Sequence, residues 1–334
     1  MKNGIVFLAL GGLIFLCNCS HETGMVMTVK GPVSAKYMGV TLTHEHILVD
    51  FTGADSINEK RWDKSKVSET VLPYLTRIKD LGCVTFIDCT PAYLGRDPLL
   101  LKSISSASGL NIITNTGFYG AANNKYIPGF AYSETADQIA LRWTNEFLSG
   151  IDATGIKPGF IKIGVQSGSL SELHKKLVIA AARTHLKTGL TITSHTGLAV
   201  PAFEQLEILK SEGVSPEAFI WVHAQNEKDS KTHIKAGEMG AWISFDGIDD
   251  NNLEEYVRLI RNMKDNHLLG KVLLSHDAGW YHPDEANGGN IRGYSVLFEK
   301  LIPLLRKEGF SESEISLLLI HNPAKAFSIR IRRI

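Results

Sequence analysis

Beyond about residue 36 this 334-residue chain alternates short β-branched, apolar runs with longer stretches of helical period. The apolar runs are 39–43, 83–88, 112–116, 160–165, 190–194, 219–222, 241–245 and 271–275. They are apolar throughout, the signature of parallel strands buried on both faces. Amphipathic stretches at 67–81, 134–148, 172–187, 201–212, 228–237 and 253–266 lie between them. Gly82, Gly109, Gly189, Gly213, Gly240 and Gly270 each precede a strand, where a helix C-cap glycine belongs. Eight β-runs separated by helices over roughly 290 residues is the count of a (β/α)8 TIM barrel. A doubly wound open sheet is the competitor, and strand count alone does not exclude it. No G-x-G-x-x-G or G-x-x-x-x-G-K-[ST] follows the first run, which weakens nucleotide-binding versions of either. After the eighth run, 294–308 and 312–320 predict helices, and Asn322-Pro323-Ala324 opens a last one. No repeat or low-complexity linker divides the chain, so 37–330 is expected to be one domain.

The N-terminus breaks this rhythm. Lys2 precedes an apolar run from 5 to 16, short for a bilayer span, and Cys17-Asn18-Cys19-Ser20 follows. That is a signal-peptide pattern, and a leucine three residues before Cys19 resembles a bacterial lipobox, with Asn18 an unusual residue before the cysteine. The expectation is a signal peptide over 1–19, cleavage before Cys19 with lipid attached there, and a tether over 20–36. The protein would then be exported, periplasmic or anchored to a bacterial membrane, with simple secretion as the alternative. Cys83 and Cys89 sit in one expected strand, where six extended residues span about 20 Å. Disulfide Cα atoms lie about 4.4–6.8 Å apart, so these two are expected to stay unbonded.

Composition excludes little but is useful where it does. A hydrophobic content of 44% suffices for a large core. Formal charge is zero, from 35 basic and 35 acidic residues, and only the short tail 330–333 is locally basic, so no nucleic-acid partner is expected.

Candidate chemistry gathers where strands end. His44 and His46, in Thr43-His44-Glu45-His46, share one face of a strand and could hold a divalent metal. Two packed histidines would read the same way. Lys162 lies among apolar neighbours on the fourth run, His195 closes the fifth, His223 the sixth, and His276-Asp277 the eighth. Singly, each histidine is more often scaffolding, and Asp277 could cap a helix. Jointly they recur at the strand ends where such barrels keep their active sites.

This ordered set resembles the phosphotriesterase family of the amidohydrolase superfamily, from about Gly39 to Phe327. It is carried by Thr43-His44-Glu45-His46, Phe160-Ile161-Lys162, Thr193-Ser194-His195-Thr196, His223, Ser275-His276-Asp277 and Asn322-Pro323-Ala324-Lys325-Ala326-Phe327. The resemblance implies two divalent metal ions, commonly zinc. His44, His46 and Asp277 would hold the more buried ion, and His195 and His223 the more exposed one. Lys162, carboxylated by CO2, would bridge both together with a hydroxide. A carbamate removes the conflict of a buried ammonium beside two dications. Hydrolysis would proceed by attack of that hydroxide, with Asp277 accepting its proton. No G-x-S-x-G offers a serine nucleophile instead.

The implied substrate is a small carboxylic ester or lactone, with side activity on phosphotriesters. True phosphotriesterases relay the proton through an Asp three residues past the strand-six histidine and a His after strand seven. Here those places hold Asn226 and Asp246-Gly247, which disfavours that alternative. A non-catalytic ligand-binding lipoprotein is the remaining reading, opposed by the complete set of metal positions. Tyr119, after the third run, corresponds to an aromatic of lactonase members. Trp280, Tyr281 and Arg292, in an expected mobile loop over 279–294, could also contact substrate, although anchoring the loop at the surface is the commoner role for any one of them. His276 is expected to point away from the site, Glu45 to pack, and His174, His185, His233 and His267 to be solvated in helices. The resemblance leaves a homodimer open.

Overall fold

The computed structural model describes residues 24–334. The expected signal peptide, Cys19 and residues 20–23 lie outside the described residues. From 25 onward the expected tether is instead folded. Strands β1 (Met25–Thr28) and β2 (Gly31–Ser34) form an antiparallel hairpin. Val26 and Ala35 are buried with Met38 and Phe327, and the Val29 N–H donates to the Ile112 carbonyl at 2.9 Å. Burying two apolar side chains against a ready-made floor stabilises an ordered hairpin where sequence spacing suggested slack.

The barrel strands follow as β3 (Thr41–Leu48), β4 (Thr85–Asp88), β5 (Asn111–Ile113), β6 (Asn115–Thr116), β7 (Phe160–Gly164), β8 (Ile192–His195), β9 (Phe219–Val222), β10 (Trp242–Phe245), β11 (Val272–Leu274) and β12 (Gly279–Tyr281). They pair in parallel, in the orders β12-β3-β4-β5 and β6-β7-β8-β9-β10-β11. Only Thr114 separates β5 from β6, so these are one broken strand. Residues 275–278 likewise interrupt β11 and β12, and the gap is spanned by Asp277 N–H to His44 carbonyl at 3.0 Å and His46 N–H to Ala278 carbonyl at 2.9 Å. Eight parallel strands with helices between them form the (β/α)8 architecture, and the open-sheet alternative falls.

Side-chain alternation divides the core into an outer and an inner layer. Phe86, Ile161, Trp221 and Ile243 pack outward among the helices. Ile87, Phe160, Ile220, Val222, Trp242 and Leu273 fill the barrel, closed below by Met38 and Phe327. Cys83 belongs to the outer layer and Cys89 to the inner one, both buried and unbonded.

The helices begin where side chains cap them. Asp63 accepts from the backbone N–H groups of Ser65 and Lys66 at the start of Lys64–Asp80, whose Val67, Val71, Leu75 and Ile78 are buried at helical spacing. A helix absent from the sequence reading, Pro98–Ser108, is capped by Asp97 and ends at Gly109. Three consecutive leucines, of which Leu99 is exposed, blur its apolar stripe. Three helical histidines expected in solvent are buried instead. His174 bonds the Gly120 carbonyl at 3.0 Å, His185 the Leu190 carbonyl at 2.8 Å and His233 the Ala224 carbonyl at 2.8 Å. Each buried ring is thus partnered by a backbone carbonyl. His267 is exposed as expected.

Candidate metal centre

The strand carrying the His-x-His pair runs on through Leu48, five residues past the end of the 39–43 apolar run. Leu42 and Ile47 both face the outer layer, although five positions apart should place them on opposite faces. A register shift between Leu42 and Glu45 resolves the parity. This bulge turns His44 and His46 into the barrel mouth while Leu42 below them keeps its place among the helices.

Lys162 is 2% exposed on β7, and the neighbouring chain comes so close that a Cβ on Gly117 would lie 2.0 Å from the Lys162 carbonyl oxygen. Only glycine fits there, at φ +127°. His195 ends β8. His223 and Asp277 follow β9 and β11 in left-handed backbone, at φ +59° and +52°. Strain of about 1–3 kcal/mol at such non-glycine positions persists only where surroundings hold it.

Six side chains therefore converge. Asp277 Oδ1 lies 3.0 Å from His46 Nε2 and 3.6 Å from His44 Nε2, and its other oxygen lies 4.0 Å from His223 Nε2. Lys162 Nζ is 3.4 Å from His44 Nε2, and no carboxylate pairs with it among the described residues. His195 Nδ1 is 2.8 Å from His223 Nε2 and 3.0 Å from the Tyr119 hydroxyl. Donor atoms of His44, His46 and Asp277 all lie within 4.8 Å of one another.

The far side of each ring fixes which nitrogen is free. Asp246, wholly buried, accepts from His44 Nδ1 at 3.1 Å and from His223 Nδ1 at 2.7 Å. Thr90 donates its own proton to the Leu48 carbonyl, so it accepts from His46 Nδ1, at 2.8 Å. All three Nε2 lone pairs thus aim at the cavity, the arrangement that metal-ligating histidines need. The donor set of imidazole nitrogens and a carboxylate fits divalent transition-metal ions.

Electrostatics agree with that geometry. Burial, reinforced by the Lys162 ammonium, lowers His44 to about 4. Burial and the neighbouring His223 push His195 well down, keeping it neutral. Burial opposes protonation of His223 too, but Asp246 outweighs it and raises the group. Burial would raise Asp246 and Asp277; their histidine partners hold both well below the carboxylate range.

Two residues of this network were not read as functional from sequence. Asp246 stood only for a missing relay group; it is the shared anchor of two site histidines. Its signal would have been an acid at the inward position past an apolar strand. Glu45 was expected merely to pack. Its carboxylate accepts from Ser275 Oγ at 2.8 Å, His276 Nδ1 at 2.6 Å, His276 N–H at 3.0 Å and Ala278 N–H at 2.9 Å. It grips the backbone on both sides of Asp277, and His276, turned away from the site as expected, is part of that grip.

The centre floors a cavity of about 100 Å³, walled by Val49, Phe51, Pro91, Leu94, Tyr119 and Trp280. Tyr119 and Trp280 are thus placed as expected. Arg292 is not. Its exposed guanidinium donates to the carbonyls of Asp277 at 3.1 Å and His276 at 3.2 Å, and its backbone pairs with Gly279, so it braces the strand-eight end from outside. Tyr281 also turns away, its ring against Gly288. The expected loop opens with β12, paired to β3. Asn226 is exposed, away from the centre.

Comparison with known proteins follows the same outline. The phosphotriesterase family profile matches residues 24–327. A phosphotriesterase homology protein of Escherichia coli is 30% identical over 294 residues, covering 86% of this chain and 98% of its own. An aryldialkylphosphatase of Saccharolobus solfataricus is 27% identical over 90% of this chain and 98% of its own. A phospho-furanose lactonase of Mycoplasmopsis synoviae is 28% identical over 93% and 94%. With the family profile spanning nearly every described residue, the chain belongs to the phosphotriesterase family and is a hydrolase.

Proposed function

We propose that the protein is a binuclear metal-dependent hydrolase of carboxylic esters or lactones, with side activity on phosphotriesters. The observation that carries this reading is the pairing of two ligand half-sites, His44–His46–Asp277 and His195–His223, around Lys162. Zinc is the proposed metal, because a set of four imidazoles suits it. Two such ions, bound there, would activate a shared water and polarise the scissile C=O.

The chain's own groups do the rest. Lys162, buried with no carboxylate partner among the described residues, would help hold the metal as a carbamate formed with CO2, which puts an anion in place of a misplaced cation. Asp277, held deprotonated beside His46, would accept the proton of the attacking water at its free oxygen. Tyr119 and Trp280 would orient the substrate against an apolar wall that excludes water. Against organophosphates as the main substrate stands the missing outward relay: Asp246 is committed to His44 and His223, and Gly247 carries no base. We also extend the sequence reading to place the enzyme outside the cytoplasm, anchored by lipid at Cys19.

The test is to purify the full chain with zinc and bicarbonate, count bound metal, and assay lactones, aryl esters and phosphotriesters side by side. Two ions per chain with lactone or ester turnover is the expected result. A rate dominated by phosphotriesters would reverse the substrate order. Full metal occupancy with no hydrolysis would mark a binding protein.

A further inference from the structure

The folded hairpin changes what an N-terminal anchor would do. With a tether running to residue 36, a lipid at Cys19 would leave the barrel free to tumble. Instead the chain is already fixed in the fold at Gly24. Its carbonyl accepts from the Ala35 N–H at 2.7 Å, and a Cβ there would lie 1.7 Å from the Ser328 hydroxyl oxygen. Gly24 is therefore pinned between the hairpin and the C-terminal segment. From Cys19 to Gly24 a fully extended chain reaches at most about 17 Å. With lipid at Cys19, the face around Gly24 would stay within about that distance of the bilayer.

That face is the base of the barrel, opposite the metal centre. The hairpin and residues 328–334 lie on it together, joined by Ile329 N–H to the Met25 carbonyl at 2.8 Å. The tail continues to the loop before β9 through pairing of Arg333 with Val214. The base exposes a group of apolar side chains: Met25 at 41%, Tyr37 at 62%, Ile331 at 48% and Ile334 at 72%. Exposed Lys30, Lys36, Lys325 and Arg333 stand among them, and Lys36 lies over the Tyr37 ring at 4.7 Å. On the acidic side, Glu217 is engaged by Arg330 at 3.3 Å and Lys271 at 3.8 Å. Aromatic and aliphatic tips interleaved with cations match the interface of an anionic bilayer, where rings sit at headgroup level and cations meet phosphate.

We propose that the base of the barrel docks on an anionic phospholipid surface, with the active-site mouth facing away into the aqueous compartment. The proposal rests on the anchored-export reading and is independent of which ester the enzyme cleaves. The substrate would then arrive from solution rather than from the bilayer.

The test uses the full chain, exported and processed in a bacterium, then reconstituted into phosphatidylglycerol-containing vesicles. Mass spectrometry of the N-terminal peptide reads lipid at Cys19, and amine-reactive footprinting compares vesicle-bound with detergent-solubilised protein. Lys30, Lys36 and Lys325 should lose reactivity several-fold on vesicles, while Lys125 and Lys228, on the opposite end, should not. In the triple variant Lys30→Glu, Lys36→Glu, Arg333→Glu, Lys325 should stay as reactive as in detergent although the lipid mass remains. Lipidated protein with equal reactivity at both ends would overturn docking and leave the anchor standing. An N-terminal peptide without lipid, together with unprotected lysines, would overturn both. Hydrolysis in detergent reports the enzymatic reading separately.

Discussion

The two halves of the metal centre are held to different degrees. His44 and His46 sit on one bulged strand, each with its Nδ1 tied, to Asp246 and Thr90 respectively. Asp277 beside them is gripped on both flanks by Glu45. In the other half, His223 shares Asp246, but His195 Nδ1 meets only His223 and the Tyr119 hydroxyl among the described residues. One half is fixed before any ligand arrives; the other has a ring whose partner is a residue of the substrate wall. Loaded with two ions as proposed, such a centre would keep one firmly and let the second adjust as substrate enters.

Breaking the link between the halves should have the largest effect. Lys162→Ala should lower turnover by about a thousandfold or more, with metal content falling from two ions towards one by elemental analysis. Asp246→Asn touches one histidine of each half. Metal affinity should fall by about 10–100-fold at both sites in chelator competition, where loss at a single site would refute the shared-anchor role. Glu45→Gln keeps the shape but offers an amide N–H to a backbone donor. Urea unfolding of metal-free protein should lose about 1–3 kcal/mol, and the first half should then bind its ion more weakly than the second.

Smaller effects sharpen the contrast. Tyr119→Phe should alter KM or turnover by less than about tenfold and leave the first ion's affinity unchanged, since the hydroxyl reaches His195 alone among the site histidines. Acid should separate ligand from scaffold histidines. Burial lowers His44 to about 4, and burial lowers the scaffold residue His185 to about 4 as well. Below the ordinary value of 6.5 the unfolded chain takes up a proton that the folded one refuses, so stability falls as pH drops towards 4. The slope approaches about 1.4 kcal/mol per pH unit for each group. Denaturation at pH 7.5, 6 and 5 should show a fall at least as steep with metal as without it, because bound metal keeps the ligand histidines unprotonated in the folded chain while the unfolded chain takes up their protons, whereas His185 contributes equally in both.

Much of this was legible before any coordinates. Continuous apolar runs mark doubly buried strands, and residues at their ends point into the barrel, so all six converging side chains could be named from spacing and resemblance. The supporting groups were hidden for a physical reason. Glu45 and Asp246 act through oxygen atoms accepting from residues far along the chain, at a sequence distance of 230 for Glu45 to Ser275 and 202 for His44 to Asp246. Local pattern carries no trace of such partners. Arg292 was misplaced because an arginine near a site reads as a ligand contact, whereas here two backbone carbonyls use its donors. The hairpin was missed because its strands, Met25–Thr28 and Gly31–Ser34, are only four residues each, too short for a period to show; it is ordered by the floor it meets.

The bulge in β3 has a consequence for how this strand can vary. Below it, Leu42 packs into the helix layer; above it, His44 and His46 line the cavity while Ile47 returns to the helix layer. Without the shift, plain alternation from Leu42 would turn Glu45 inward and both imidazoles out among leucines and valines. The bulge lets the two ends of one strand be selected independently, like two words sharing a line but not a grammar. Substitutions that retune the packing beneath need not rephase the chemistry above, and the strand can drift in one half while the other stays fixed.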